Sequence, residues 1–219
     1  MGTRQVSYIV ERARYLIQDD AGVRWTDPEL IAWLNDGLKE LVVLKPTANS
    51  LRINQSLAPG VIQPLPSGTL HLLRATHNAV SGKPCRLVDI DRLDATEPGW
   101  RALGETKDAD HYIYDATVPL EFQVYPPNDG TGALSITVAR PFTDLTALTN
   151  TVPADDVYVP VLVDYLLYRA YSKHSKFAGN EQRAAAAYNR FRGALGARLQ
   201  FEAALDPHTT NKNQQKGIE

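Results

Sequence analysis

Residues 26–45 read Thr26-Asp27-Pro28-Glu29-Leu30-Ile31-Ala32-Trp33-Leu34-Asn35-Asp36-Gly37-Leu38-Lys39-Glu40-Leu41-Val42-Val43-Leu44-Lys45. Within them Leu30, Ile31, Trp33, Leu34, Leu38, Leu41 and Val42 recur at the period of one buried helix face. The stretch opens on a helix-start signal: either Asp27 caps with Pro28 in the first position, or Thr26 and Glu29 form a reciprocal capping box. Pro46 stops it. Upstream, Val6, Ile9, Val10, Ala13, Leu16 and Ile17 have the same period, and Gln18-Asp19-Asp20-Ala21-Gly22 ends it, with Gly22 suited to the positive φ of a C-cap. The short connection predicts two antiparallel helices with Trp33 between them.

From Leu51 the period changes to two. Strands are predicted at Leu51–Leu57, Leu70–Thr76, His111–Tyr114, Leu120–Tyr125 and Leu134–Ala139, with a turn at Ala58-Pro59-Gly60 and a short helical turn at Asp91–Ala95. Asp115–Pro119 and Pro126–Gly132 read as two hairpin connections, which gives an antiparallel sheet or small sandwich. Asp144–Asp156 is a return linker. Helical spacing resumes over Val159–Lys173 and again after Asn180, a candidate N-cap, with Ala184, Ala187, Tyr188, Phe191, Leu195 and Leu199 on one face. The predicted fold is therefore α+β. A four-helix bundle from residues 1–46 and 156–206 carries an inserted antiparallel β-rich module over 50–142, and 207–219 form a flexible tail with one apolar residue, Ile218.

The composition fits a chain that buries an ordinary core. With 219 residues, 43% hydrophobic and 22% charged, it can cover roughly 70% of its unfolded surface. No apolar run approaches the ~20 residues of a membrane span, and Met1-Gly2-Thr3-Arg4-Gln5 leads into an amphipathic pattern instead of a signal core. Cys85 is the single cysteine, so no intrachain disulfide forms, and the count fits a reducing cytoplasm. A net charge of −2 with no basic block disfavours tight DNA binding, though not DNA passing nearby.

Candidate chemistry is sparse. Asp89, Asp91 and Asp94 have the residue type of a carboxylate pair or cation site, but in a turn-rich stretch they read as caps of their own backbone. Asp108-Ala109-Asp110-His111 lacks a second His or Cys, and His71 and His77, on one strand face, lack further zinc ligands. Asp19-Asp20-Ala21-Gly22 lacks the alternation of a calcium loop. No phosphate loop, serine elbow or paired-cysteine motif is present, so no catalytic residue, cofactor or metal site is assigned. Tyr165, Tyr168 and Tyr171 recur at helical spacing and read as a packing face that extends to an oligomer interface, where Tyr is favoured.

The order of motifs is more telling. Ala13-Arg14-Tyr15-Leu16-Ile17-Gln18-Asp19-Asp20, Arg24-Trp25-Thr26-Asp27-Pro28-Glu29-Leu30 and Trp33-Leu34-Asn35-Asp36-Gly37 come first. Asp94-Ala95-Thr96-Glu97-Pro98-Gly99-Trp100, Tyr125-Pro126-Pro127 and Leu162–Lys173 follow. In this order, up to about Leu205, the chain resembles the phage adaptor proteins of the head-to-tail connector, including the tail tubular protein A type. The resemblance implies a structural, non-enzymatic virion protein of the phage neck, made in the host cytoplasm. It implies a twelve-fold ring between the portal protein and a tail or nozzle protein, with DNA passing through the lumen without sequence-specific binding and no membrane partner. Tyr165, Tyr168, Arg169 and Tyr171 are the expected ring contact, with Arg169 the position for charge reversal. Asn211, Lys212, Gln214 and Ile218 of the tail are expected to order on the portal or tail partner. Rival readings are another neck or tail component (stopper, tail terminator or baseplate protein), a carbohydrate-binding or hydrolytic module using Asp89, Asp91 and Trp100, and a nucleic-acid-binding protein.

Overall fold

A computed structural model describes residues 2–174 and 176–205 and is α+β. In chain order the elements are α1 (Val6–Ile17), α2 (Asp27–Leu44), β1 (Ser50–Ser56), β2 (Pro59–Pro64), β3 (His71–Asn78), β4 (Arg86–Leu87), α3 (Ile90–Thr96), β5 (His111–Ile113), β6 (Glu121–Asp129), β7 (Ala133–Ala139), α4 (Val159–Lys173) and α5 (Asn180–Leu205). The chain divides into two compact units, Met1–Lys45 with Phe142–Glu219, and Pro46–Pro141.

The helical unit is organised by α4. Val161, Leu162, Val163, Tyr165, Leu166, Leu167 and Ala170 are all buried, so this helix is covered around most of its circumference. α1, α2 and α5 each pack against it. The four-helix bundle expected of these segments is not shown; α4 is instead a hub on which the other three helices pack. α1 turns Val6, Ile9, Val10 and Ala13 inward, and α5 contributes Ala184, Ala187, Phe191 and Leu195. Trp33 of α2 lies beneath Arg169 and Lys173 of α4, each cation 5.9 Å from its ring centre.

Three local expectations change. Neither cap predicted for α2 forms: Thr26 is the N-cap residue and makes no side-chain bond. Asp27 is drawn away by Arg14, whose Nη2 donates to its Oδ1 at 2.5 Å. α1 ends at Gln18, which takes the left-handed conformation (φ 56°) ahead of Gly22. The return segment after Phe142 is no loose linker, because Leu145, Val152 and Ala154 are buried. Val6 N–H donates to Asn150 O (2.9 Å), Ser7 N–H to Leu148 O (3.0 Å) and Val152 N–H to Arg4 O (2.9 Å). Asn35 both donates to Leu145 O (2.9 Å) and accepts from Leu145 N–H (2.8 Å).

The insert contains two sheets, ordered β1-β7-β3 and β2-β6-β5-β4. The first is antiparallel, but the β4–β5 pair is parallel, so the predicted all-antiparallel module is mixed. β2 and β4 escaped the sequence reading. β2 is an edge strand bounded by Pro59 and Pro64, residues that an edge accommodates, and β4 is two residues long. β5 and β6 do form the first predicted hairpin. The second does not form: β6 and β7 lie in different sheets, and the Gly130–Gly132 turn carries the chain from one to the other.

A core of Leu57, Leu72, Ala75, Cys85, Ala109, Tyr112, Phe122, Val124, Leu134, Ile136 and Val138 joins the sheets. Period-two alternation sends the neighbours of these residues to the opposite face, where Ile113 and Tyr125 join Leu93 and Trp100 beside α3. Three buried amides hold the turns. Asn128 donates to Thr106 O and Lys107 O and accepts from Gly130 N–H and Gly132 N–H. Gln63 accepts from Ala58 N–H and donates to Ala58 O and Gly60 O, and Asn78 pairs with Ala109 through both ends of its amide. β1 and β7, the first and last strands, pair from Ser50–Ala139 onward, and Asn49 donates to Arg140 O and Pro141 O (3.0 Å each).

Gly37 gives a direct check on the hub. A Cβ there would stand 2.8 Å from Cδ1 of Tyr165 on α4, whereas one at Gly193 in α5 would meet open space. Gly37→Ala should lower unfolding stability by ~1–3 kcal/mol through overpacking, despite the better helix propensity of alanine. Gly193→Ala should raise it by ~0.5–1 kcal/mol. Denaturant titrations of the two variants measure both signs.

Candidate functional site

The expected contact residues on α4 divide by burial. Tyr165 is 4% exposed and packs between Tyr168 (ring centres 5.7 Å apart) and Phe191 (5.1 Å). Burial pushes its hydroxyl pKa up to about 12. Tyr168, half-buried, packs on Tyr188 at 4.8 Å, and Tyr188 donates its hydroxyl to Glu40 at 2.6 Å. Arg169 pairs with Asp36 of α2 at 3.0 Å, and the guanidinium of Arg183 lies 5.8 Å from the Tyr171 ring centre. The stripe therefore serves first to join α4 to α2 and α5. Tyr168, Arg169 and Tyr171 keep a partly exposed edge, and charge reversal at Arg169 would disturb folding as well as any contact beyond it. Asn211, Lys212, Gln214 and Ile218 lie outside the described residues.

The sequence reading missed a polar node between α1 and α2. Arg14 follows Val10 and Ala13 on the inward face of α1, and its side chain is 10% exposed. Its Nη2 donates to Trp25 O (3.0 Å) as well as to Asp27. Opposite it, Asp19 accepts from Val23 N–H (3.0 Å), Arg24 N–H (3.1 Å) and Trp25 N–H (3.0 Å). The pair fixes the helix connection. A basic residue at an inward position of an amphipathic helix was the available signal, and the Gln18–Gly22 stretch masked it.

The acidic clusters serve the chain itself. Asp89 caps α3 by accepting from Asp91 N–H, and Asp94 accepts from Trp100 Nε1 (2.7 Å) and Arg101 Nη1 (2.7 Å). Asp108 accepts from Ser81 Oγ and pairs with Lys83. Two register shifts separate His71 from His77 on β3. Cys85 is buried, and desolvation, helped by the charge of Asp110, pushes its thiol up to about 12. Among the described residues no three His, Cys, Asp or Glu gather as metal ligands, and no helix is long and apolar enough to cross a membrane.

Two surfaces stand apart from these internal contacts. On α1, Tyr8, Tyr15 and Leu16 are 38%, 76% and 51% exposed and share one outward stripe with Glu11 and Arg12. The guanidinium carbons of Arg4 and Arg12 lie 4.8 and 5.7 Å from the Tyr8 ring centre. In the insert, a cleft of about 450 Å³ is lined by the apolar Leu87, Val88, Ile90, Ile113 and Val118 and by the carboxylates Asp89, Asp115 and Glu121. No basic residue lines it.

The chain is thus an α+β protein of a helical unit and a β insert, with carboxylates engaged in caps and ion pairs. The family model described as SU10 adaptor protein matches residues 5–213, and the chain belongs to that family. It is a phage adaptor, a structural virion protein that joins other virion components. No curated protein matches the chain.

The Asp19 node predicts a pH dependence. Burial opposes ionisation of Asp19, but the N–H groups of Arg24, Trp25 and Val23 and the charge of Arg14 outweigh it and hold the pKa below 3.8. A carboxyl depressed in the fold stabilises it above the unfolded pKa of about 3.9, and that stabilisation disappears as pH falls through the folded value. Asp19→Asn should therefore be less stable than the parent at pH 6, with the difference shrinking below pH 4. Thermal melts of both chains over that range test it.

Proposed function

We propose that this protein is a head-to-tail adaptor, present as a dodecameric ring between the portal protein and a tail or nozzle protein, with DNA crossing its lumen. The family match over residues 5–213 carries this reading. The physical chemistry is compatible with it: a net charge of −2 does not hold passing DNA by phosphate neutralisation. In this reading α1, α2, α4 and α5 act as a four-helix bundle that forms the ring body. The partly exposed edge of Tyr168, Arg169 and Tyr171 faces a neighbouring copy or the portal, and the tail residues Asn211, Lys212, Gln214 and Ile218 reach a partner. A closed ring of one chain uses two different surfaces of each copy.

Purified protein should change from a small species to a twelve-fold ring when mixed with portal, seen by electron microscopy and by mass. A closed oligomer of other symmetry with no affinity for portal would refute the proposal. Attachment at another position in the neck or tail would assign it instead as a stopper, terminator or baseplate component.

A further inference from the structure

α1 carries two stripes where a surface helix ordinarily carries one. The inner stripe, Val6, Ile9, Val10 and Ala13, is buried in the helical unit. The outer one, at positions 8, 11, 12, 15 and 16, has the i, i+3, i+4, i+7, i+8 spacing of a helix laid into a groove. Its composition, Tyr8, Tyr15 and Leu16 with Glu11 and Arg12 and with Arg4 over the Tyr8 ring, includes the Tyr and Arg that are enriched at interface centres. Both guanidinium groups lie near the Tyr8 ring; the charge of Arg4 also acts on Asp156, whose carboxylate accepts from Arg4 N–H, so Arg12 is the cation of the stripe itself.

The insert cleft offers apolar walls to Tyr15 and Leu16 and carboxylates opposite in sign to Arg12. Its apolar walls include Leu87 and Val118, 60% and 47% exposed, and its volume of about 450 Å³ is within the ~300–1,000 Å³ range of binding clefts. Asp89, Asp115 and Glu121 edge it with no basic residue among its lining. Asp115 accepts from Thr117 N–H at 2.8 Å, and Asp89 from Asp91 N–H at 2.9 Å, so both carboxylates are fixed at the rim.

We propose that the outer stripe of α1 docks into the insert cleft of a second copy of this chain, with Tyr15 and Leu16 on the apolar walls and Arg12 facing Glu121 and Asp115. This rests on the ring reading and names the two faces that meet. The pairing is heterologous, so each copy offers the stripe to one neighbour and the cleft to the other, as a ring requires.

Charge exchange tests it. Arg12→Glu places like charge against the cleft, and Glu121→Lys places like charge against the stripe. Each variant alone should lose ring formation on portal by about tenfold or more while melting like the parent. An equimolar mixture should recover it, because an alternating ring of two variants makes every contact complementary. In parallel, a Tyr15→Cys copy mixed with a Leu87→Cys copy should form an intercopy disulfide, with the native Cys85 buried. Variants that assemble alone as well as the parent, a mixture that fails to recover, or absence of the cross-link would each overturn the docking. A parent chain that forms no ring with or without portal would refute the ring reading instead, and the cross-link would then decide the docking alone.

Discussion

The hydrogen bonds between the return segment and the N-terminal helices are the constraint on which the helical unit depends. α4 is the hub, yet it begins more than a hundred residues after α2 ends, so nothing local holds it in place. Asn35 grips Leu145 through both groups of its amide, and Val6, Ser7 and Arg4 form backbone bonds with Leu148, Asn150 and Val152. These bonds bury Leu145, Val152 and Ala154 and deliver the chain to Val159 already aligned with the α1–α2 pair. Without them the buried face of α4, with Leu162, Leu166 and Tyr165, would have to find its partners against the full entropy of an open chain.

The insert solves a different problem. Its chain passes between the two sheets four times, and at two of these crossings, before β2 and at Gly130–Gly132, buried amides meet backbone groups that the ladder leaves. Gln63 and Asn128 supply those missing partners from inside, each buried and each bonded at both ends of its amide. Buried polar groups are stable when fully satisfied, and these are. They determine where the chain leaves a sheet as firmly as the apolar alternation determines which way each strand faces.

These two mechanisms explain what could be read from sequence. Helical spacing in 30–42 and alternation in 120–125 come from burial on one side of a regular element, and periodicity reports that directly; α4 and β7, buried on more than one side, read instead as apolar runs. β2 was not legible because Pro59 and Gly60 read as a turn, and only pairing with β6 makes them an edge strand. The β6–β7 connection has the composition of a hairpin, and the choice between hairpin and crossing is tertiary. At the candidate surfaces, the regular spacing of Tyr165, Tyr168 and Tyr171 was visible, but not that Tyr165 and Phe191 would enclose each other. The outer stripe of α1 was visible only in part, because Leu16 and Ile17 were read as one face with Val6 and Ile9. Which side of a helix is inward is settled by its neighbours.

The pairing of β1 with β7 has a consequence for how the two-piece helical unit is assembled. Because Ser50 lies opposite Ala139 and Asn49 bonds to Arg140 and Pro141, the folded insert presents its two ends side by side. An unfolded insert would tether α2 to the return segment as a loop of nearly a hundred residues; a folded one is a staple a few residues wide. Loop closure grows by about 0.6 kcal/mol per doubling of length, so early folding of the insert relieves on the order of 2 kcal/mol of the cost of closing the helical unit. The β module thus acts as an internal splint, and its interior could vary widely in length without changing the distance the helices have to bridge.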